Sequence, residues 1–555
     1  AASDVYKRQV YGDVMLNFNY NINRFDIAAT VGWTGRYENM NNIRVSTNGG
    51  LVTENWFDLN ASRYTPSSTL QRMELLKTGY MGTLSLGWDN YLFLELTGRQ
   101  ERSSTLKDQS FFYPSANLSF LFTQAFHMPS WWNYGKLRLS YGIVGNAPET
   151  YTANIVYEQG SDNGFTWNTI PSSWGNADIR PEKKYEYEIG LESKFLNNRL
   201  GIDVSYYNNR VKDQILSTPQ PSTSGVKNVL MNVGEVANHG WDISISATPI
   251  LTRDFRWDLT ANYGVYKNKV VKLADGVPYL EILNSGGSGI KIQAVEGQPM
   301  GDIYAQVPQV NENGEYLVSD KGLYLNQTEL QKVGNINPAG VGGLFNSFSY
   351  KNVFLDFSID FRIGGDVINE MNQYATAVGL TPESLKYRDT EHGGLSYYYP
   401  GDNNSSGIPV QVDPSTGAGP NGEIIYHDGI ILPGVVASTG ERNTRIIPAG
   451  YYYNTTYNWG TEAEQLTYRH SVFDNSYVKL RELTIGYQFP EKIISKLGLG
   501  RLSVSVFGRN LFYFYKALKN YDAESSVGTS WANQATVGSS TTATRSFGVS
   551  LRASF

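Results

Sequence analysis

The 555-residue chain carries a net charge of −6, with 18% charged residues, 13% aromatics (39 Tyr, 24 Phe, 11 Trp), 55 Gly and no Cys. Missing cysteines exclude a disulfide scaffold, thiolate metal sites and cysteine nucleophiles, and an acidic balance without a long basic run excludes a nucleic-acid footprint. No stretch approaches the ~18 consecutive apolar residues of a membrane-spanning helix, which leaves a soluble β protein or a membrane protein that spans as strands.

In chain order, residues 1–9 (AASDVYKRQ) fit nothing that follows. They resemble read-through of a sequencing adapter and are set aside as a non-native leader, with 10–555 as the folded part. From there the dominant period is two, as in a strand whose faces meet different surroundings. Roughly fifteen segments match that template, near 11–20, 24–34, 72–88, 90–102, 112–124, 135–146, 183–196, 199–213, 228–248, 254–272, 340–351, 353–365, 476–489, 500–514 and 543–555. In the clearest, Val353, Leu355, Phe357, Ile359, Phe361 and Ile363 alternate with residues that include Asp356, Ser358, Asp360 and Arg362. At Arg481–Glu482 the alternation slips from Val478/Leu480 to Leu483/Ile485, which predicts a β-bulge. No amphipathic helix of convincing length intervenes.

Connection lengths alternate. Asn21–Asn23, Asp89, Asn197–Asn198, Pro249–Arg253 and Asn352 are short turns, with slightly longer ones at 125–134 and 490–499; the intervening 35–71, 147–182, 273–339, 366–475 and 515–542 are long, and 103–111 and 214–227 are modest. Short turns on one rim and long loops on the other describe an antiparallel transmembrane β-barrel, whereas a soluble sandwich has no reason to sort its loops by parity. With long loops outside, the last strand runs inward and Phe555 stands at the periplasmic rim. In hydrocarbon every backbone N–H and C=O needs a partner within the protein, so strands span only as a closed ring. Fifteen strands would leave two edges open in lipid, and bacterial barrels have even counts, so further strands are expected before residue 10. An export signal is expected there too, since none opens this sequence.

Several stretches resemble the SusC/RagA-like branch of TonB-linked outer-membrane transporters: KLRLSYGIVGNA (136–147), RPEKKYEYEIGLESKFLNNRLGIDVSYYNNRVKDQIL (180–216), MNVGEVANHGWDISI (231–245), GGLFNSFSYKNVFLDFSIDFRIGGDVIN (342–369), SYVKLRELTIGYQFP (476–490) and RLSVSVFGRNLFYFYK (501–516). They are collinear with the family pattern across 70–555. The resemblance implies an all-β, antiparallel transmembrane barrel of about 22 strands, of which this chain supplies about 15, with the plug domain absent from it. It further implies import of a large nutrient, chiefly an oligosaccharide or else a peptide, across the outer membrane of a Gram-negative, Bacteroidetes-like cell. Implied partners are a SusD-like lipoprotein lid, the TonB complex acting through the missing plug, the barrel-assembly machinery and outer-membrane lipid.

Enzymatic constellations are weak. His127, His239, His392, His427 and His470 fall in no zincin spacing. His427-Asp428 reads as a polar loop pair, and His239, beside Gly240-Trp241, as an interface residue. Asn311–Gly322 (NENGEYLVSDKG) echoes an acidic calcium loop, yet lacks Asp at its first position and Glu at its last, so it reads as a turn. Glu186, Glu188 and Glu192 make an acidic stripe at strand period, expected to face a wet lumen. No catalytic residue, cofactor or metal is expected. Substrate contact is expected among loop aromatics whose rings can stack on sugar faces: Trp167, Trp174, Tyr397, Tyr398, Tyr399, Tyr451, Tyr452, Tyr453 and Trp459, with Tyr457 nearby. The same rings can instead pack loops together or meet a lid. A passive porin or adhesin, and a soluble carbohydrate-binding β protein, are the competing readings.

Phe555, a terminal aromatic, resembles the signal read by the barrel-assembly machinery. Deleting Ser554–Phe555 from the full-length protein is expected to reduce its insertion. Heat-modifiable mobility on gels measures this, and an undiminished folded band would refute the assignment.

Overall fold

The computed structural model describes residues 2–107, 110–162, 165–285, 289–401, 407–458, 467–526, 528, 530–538 and 543–554. Trp459 and Phe555 lie outside the described residues. Two compact units divide the chain: Ala1–Ala247 with Tyr266–Pro278, and Thr248–Val265 with Tyr279–Phe555.

Fifteen strands form one sheet in chain order. They are β1 (Ala2–Ile22), β2 (Phe25–Leu51), β3 (Ser62–Trp88), β4 (Leu92–Ser103), β5 (Ser110–Phe120), β6 (Trp132–Asn146), β7 (Glu182–Phe195), β8 (Leu200–Lys212), β9 (Glu235–Leu251), β10 (Phe255–Lys272), β11 (Gly340–Tyr350), β12 (Val353–Ile363), β13 (Tyr477–Gln488), β14 (Arg501–Lys516) and β15 (Ser546–Ser554). Each overlaps one of the expected segments, with different bounds at β1, β2, β3 and β9. Asn and Asp, whose side chains tolerate the left-handed backbone, make most of the tight turns: Asn23 (φ 52°), Asp89-Asn90 (54° and 60°) and Asn197-Asn198 (57° and 61°), with Lys351 (53°) as the exception.

Where the strands alternate, one face is bare. In the first unit Val14, Leu16 and Phe18 on β1 are at least 58% exposed. In the second, Val506 on β14 is 57% exposed, and Phe547, Val549 and Leu551 on β15 are 66–73% exposed. Among the described residues no second sheet covers these rings and methyls; they are not the filling of a sandwich. Buried apolar clusters lie instead among the connections or at the strand ends beside them. The largest joins Ile290, Ile292, Ile303, Ile336 and Ile368 to Tyr468 and Val472. Aromatic rings crowd the short-turn ends. Phe25, Trp88, Tyr91 and Phe120 form a chain with centroids 5.4–6.4 Å apart in the first unit. Trp257, Phe348 and Phe357 do the same in the second, at 5.4 and 6.1 Å. Amphipathic rings in a band are the signature of a membrane interface.

The bulge falls where the slip predicted it. Ser358 pairs with Glu482 and Ile359 with Leu480, so Arg481 has no partner across from it. The extra residue keeps Leu480 and Leu483 on one face and sends Arg481 and Glu482 both to the other.

Two expectations change. Residues 35–71 are not one loop: β2 and β3 continue to Leu51 and back from Ser62, paired from Phe25 against Trp88 out to Leu51 against Ser62. Beyond Tyr37 the strand carries Asn39, Asn41, Asn42 and Ser46, and with water on both faces the alternation that marks a half-buried strand disappears. Residues 228–248 are not one strand: Gly234 (φ 103°) breaks it, and Asn228–Asn232 pairs with Ile215–Pro219 instead. Ahead of residue 10, Ala2–Gln9 run opposite Glu38–Val45.

Lysine at Val506 would place an ammonium on the bare face, a change expected to cost about 2–4 kcal/mol at midplane depth. Lysine at the adjacent Ser505, which lines a polar cavity on the opposite face, is expected to cost under about 1 kcal/mol. Urea midpoints of the full-length barrel in lipid vesicles compare the two, and equal midpoints would remove the assignment of faces.

Candidate functional site

On the polar face of the first unit, β6 projects Arg138 across two neighbouring strands. Its guanidinium donates to Asp203 (2.6 and 3.2 Å) and Ser205 (3.2 Å) on β8 and lies 3.5 Å from Glu192 on β7. Gly190 makes the reach possible, since a Cβ there would stand 2.8 Å from the Arg138 Nη2. Glu186 pairs with Lys184 at 2.6 Å and accepts from Asn209 at 3.1 Å. Two members of the acidic stripe thus bind cations on their own wall. Asn19, Asp26, Glu95, Asn117, Arg138 and Ser140 help line a cavity of about 830 Å³ there. Its lining mixes hydroxyl, amide, carboxylate and guanidinium groups with the apolar side chains of Ile27, Leu86, Phe93, Leu94 and Leu118.

The second unit has a tighter network. Lys479, on β13, is 1% exposed, donates to Glu524 Oε2 at 2.5 Å and lies 4.8 Å from the Tyr513 ring. Arg481, turned inward by the bulge, donates to Asp360 (2.5 Å), Asn510 (3.0 Å) and both oxygens of Glu524 (2.6 and 2.8 Å). Glu524 thereby ties the connection after β14 to the polar face. Loss of that carboxylate would strand a buried ammonium, the costly way to break an ion pair. The slip at Arg481 was the only sequence signal for this network; Glu524 carries none.

The long connections of this unit fold on themselves. A four-stranded sheet of Tyr279–Ser285, Ile290–Val295, Asp302–Ala305 and Gln331–Asn335 accompanies helices Glu370–Ala377 and Ala449–Tyr457. Tyr451, Tyr452 and Tyr453 therefore stand on a helix. Tyr453 is buried and donates to the Glu383 carbonyl at 2.8 Å; Tyr451 and Tyr452 are half-buried. Tyr397 is 1% exposed, donates to Asp428 Oδ1 at 3.1 Å and stacks on Tyr426 at 5.5 Å. Tyr399 is buried edge-on against Tyr397, and Tyr398 is half-buried. Burial beside Asp428 pushes the Tyr397 hydroxyl far up, and burial brings Tyr453 to about 12. Protein thus covers the rings of Tyr397, Tyr399 and Tyr453. In the first unit Trp167 is exposed and lies over Gly160, its partner across the Glu158–Asp162/Phe165–Thr169 hairpin. Trp174 is half-buried, edge-on to Tyr157 at 5.9 Å.

His427 bonds Ser396 Oγ through Nδ1 at 2.8 Å, so the His427-Asp428 pair is divided between two loop contacts. Asn311 turns its carbonyl oxygen onto the amides of Asn313 and Glu315 (3.0 and 2.9 Å), the geometry of a turn. Among the described residues no three His, Asp or Glu side chains converge as a metal site.

Exposed apolar strand faces, interfacial ring bands and a charged opposite face together define an outer-membrane β-barrel. The family described as "TonB dependent receptor-like, beta-barrel" matches residues 2–290, over half the sequence, and the chain belongs to it. TonB-dependent receptor P3 of Formosa agariphila is 24% identical over 494 residues, covering 81% of this chain and 42% of the relative. TonB-dependent receptor SusC of Bacteroides thetaiotaomicron is 30% identical over 247 residues, covering 41% of this chain and 24% of SusC. The solved RagAB peptide transporter shares the fold with a TM-score of 0.67 at 18% identity, over 94% of this chain and 54% of its own. The chain thus spans less than half the length of the curated relatives it matches. This is a family of receptors and transporters rather than enzymes, seated in the outer membrane.

His470 stacks on Tyr457 at 4.4 Å, and burial with Arg469 nearby lowers its pKa from 6.5 to about 4. The imidazole is neutral in the folded loops but protonates in the unfolded chain below about pH 6.5, so stability present above that pH drains away towards pH 4. A loss of about 1–3 kcal/mol across that window is expected, read as faster proteolysis within 366–475 at pH 5 than at pH 7. The His470→Gln variant should flatten the difference, and an unchanged pH response would rule the imidazole out.

Proposed function

We propose that the full-length protein imports a large nutrient through the outer membrane, driven by TonB acting on a plug that precedes this chain. The cargo on this reading is an oligosaccharide, captured together with a SusD-like surface lipoprotein. The observation that carries the proposal is the folding of the second unit's long connections into structured elements with their own core, tied through Glu524 to strands whose charged face is built from Asp360, Lys479 and Arg481. A passive pore needs no such investment in its loops. The glycan is what the resemblance to the SusC/RagA-like branch implies, and likeness to the RagAB peptide transporter keeps a peptide as the second cargo class. Ligand contact then falls to the aromatic rings that keep an open face: Trp167 first, then Trp174, Tyr398, Tyr451 and Tyr452.

Cells carrying the intact gene should take up defined oligosaccharides only while TonB is present. Uptake that survives removal of TonB would point to a porin, and growth on peptides alone would exchange the cargo. In the purified transporter–lipoprotein complex, Trp167→Ala should weaken glycan binding about fivefold or more by calorimetry, in line with a stacking contact of ~1 kcal/mol. Unchanged affinity would remove that ring from the site.

A further inference from the structure

The outward face of β7–β10 changes character along its length within the first unit. Ile189, Leu191, Val204 and Ile243 make its apolar middle. Towards the long connections follow Tyr187, Tyr206 and Trp241, with centroids 6.5 and 4.9 Å apart. Beyond the rings, register aligns Tyr185 with Arg210 and Arg210 with Ala237, while Lys183 stands opposite Lys212 and Asn208 opposite His239. Lys267 and Lys269 on β10 are exposed and share the odd-numbered parity of Trp257, Leu259 and Tyr263. This end of the strands therefore carries Lys183, Arg210, Lys212, Lys267 and Lys269; of the nearby carboxylates, Glu235 lies 3.1 Å from Arg210, while Asp213 and Asp275 are engaged by Arg180 at 3.2 Å and Lys272 at 3.4 Å. Among the described residues Lys183, Lys267 and Lys269 have no ion-pair partner. On the inward face the arrangement differs, since Lys184 is matched by Glu186 at 2.6 Å.

Rings of this kind sit at the headgroup level of a bilayer, so the cations just past them stand at the depth of lipid phosphates. A soluble anion would have no use for the apolar surface that continues beneath. We infer that this face binds an anionic membrane lipid, its phosphate held by Arg210, Lys212, Lys267 and Lys269 and its acyl chains lying over Tyr206, Ile189 and Ile243. Lys212 already rests 5.8 Å from the Tyr185 ring, which positions the ammonium beside the apolar band.

Native mass spectrometry of the full-length protein in neutral detergent tests this with phosphatidic acid, phosphatidylcholine and inorganic phosphate as probes. Phosphatidic acid should be retained and phosphatidylcholine lost, with inorganic phosphate unable to compete. Each cation removed should weaken retention about fivefold, and R210Q/K212Q/K267Q/K269Q more than about a hundredfold. K184Q, on the inward face, should change nothing. Should the quadruple variant not assemble, K267Q/K269Q alters only exposed side chains and should still lower retention. Retention equal to wild type in that double variant would overturn the proposal, as would displacement by inorganic phosphate, which would mark a free-anion site.

Discussion

Lipid cannot hydrogen-bond, and water can; the backbone of this chain is arranged around that asymmetry. Each strand that enters hydrocarbon must hand every amide and carbonyl to a neighbour, because an orphaned group there costs several kcal/mol. Ladder pairing meets that demand from β2 to β14, each of which has a neighbour on both sides. Once pairing is obligatory, side chains are left to sort between two media. Val504, Val506, Val549 and Leu551 face one; Ser503, Ser505, Ser550 and Arg552 face the other. The hydrophobic effect here works inside out, leaving the sheet's apolar face bare while apolar burial concentrates among the connections.

The charged face obeys the logic of a soluble interior more than that of a surface. Arg138 and Arg481 each span several strands, and each depends on a local device: the missing side chain of Gly190 in one case, the extra residue of a bulge in the other. Such guanidinium forks fix neighbouring strands through side chains as well as through the ladder, and make a polar wall stiff. The connections are a third regime, with helices, small sheets and aromatic clusters of ordinary soluble type.

How much of this was legible in the sequence followed from which medium each residue meets. Strands between lipid and a wet interior announced themselves by alternation, and even the bulge at Arg481 showed as a break in phase. Where both faces meet water, as at Asn39 to Ser46, the same backbone geometry left no trace in the hydropathy. The aromatic clusters were visible as clusters, but whether a ring such as Tyr397 faces outward or stacks on Tyr426 depends on loop packing that no local pattern encodes. Lys479 and Glu524 met through chain folding alone, 45 residues apart.

The hairpin of β2 and β3 pairs Phe25 with Trp88 at one end and Leu51 with Ser62 at the other, far longer than the roughly ten residues a bilayer needs. Its outer half is held by ladder bonds in water, with no hydrocarbon to choose which side of the ribbon faces where. Shortening both arms by the same number of residues would preserve the phase of everything below. Removing a single residue from one arm would set the outer ladder against the inner one, and the strain would gather where polar sequence gives way to Trp33 and Val31, the first positions at which a reversed side chain meets the wrong solvent.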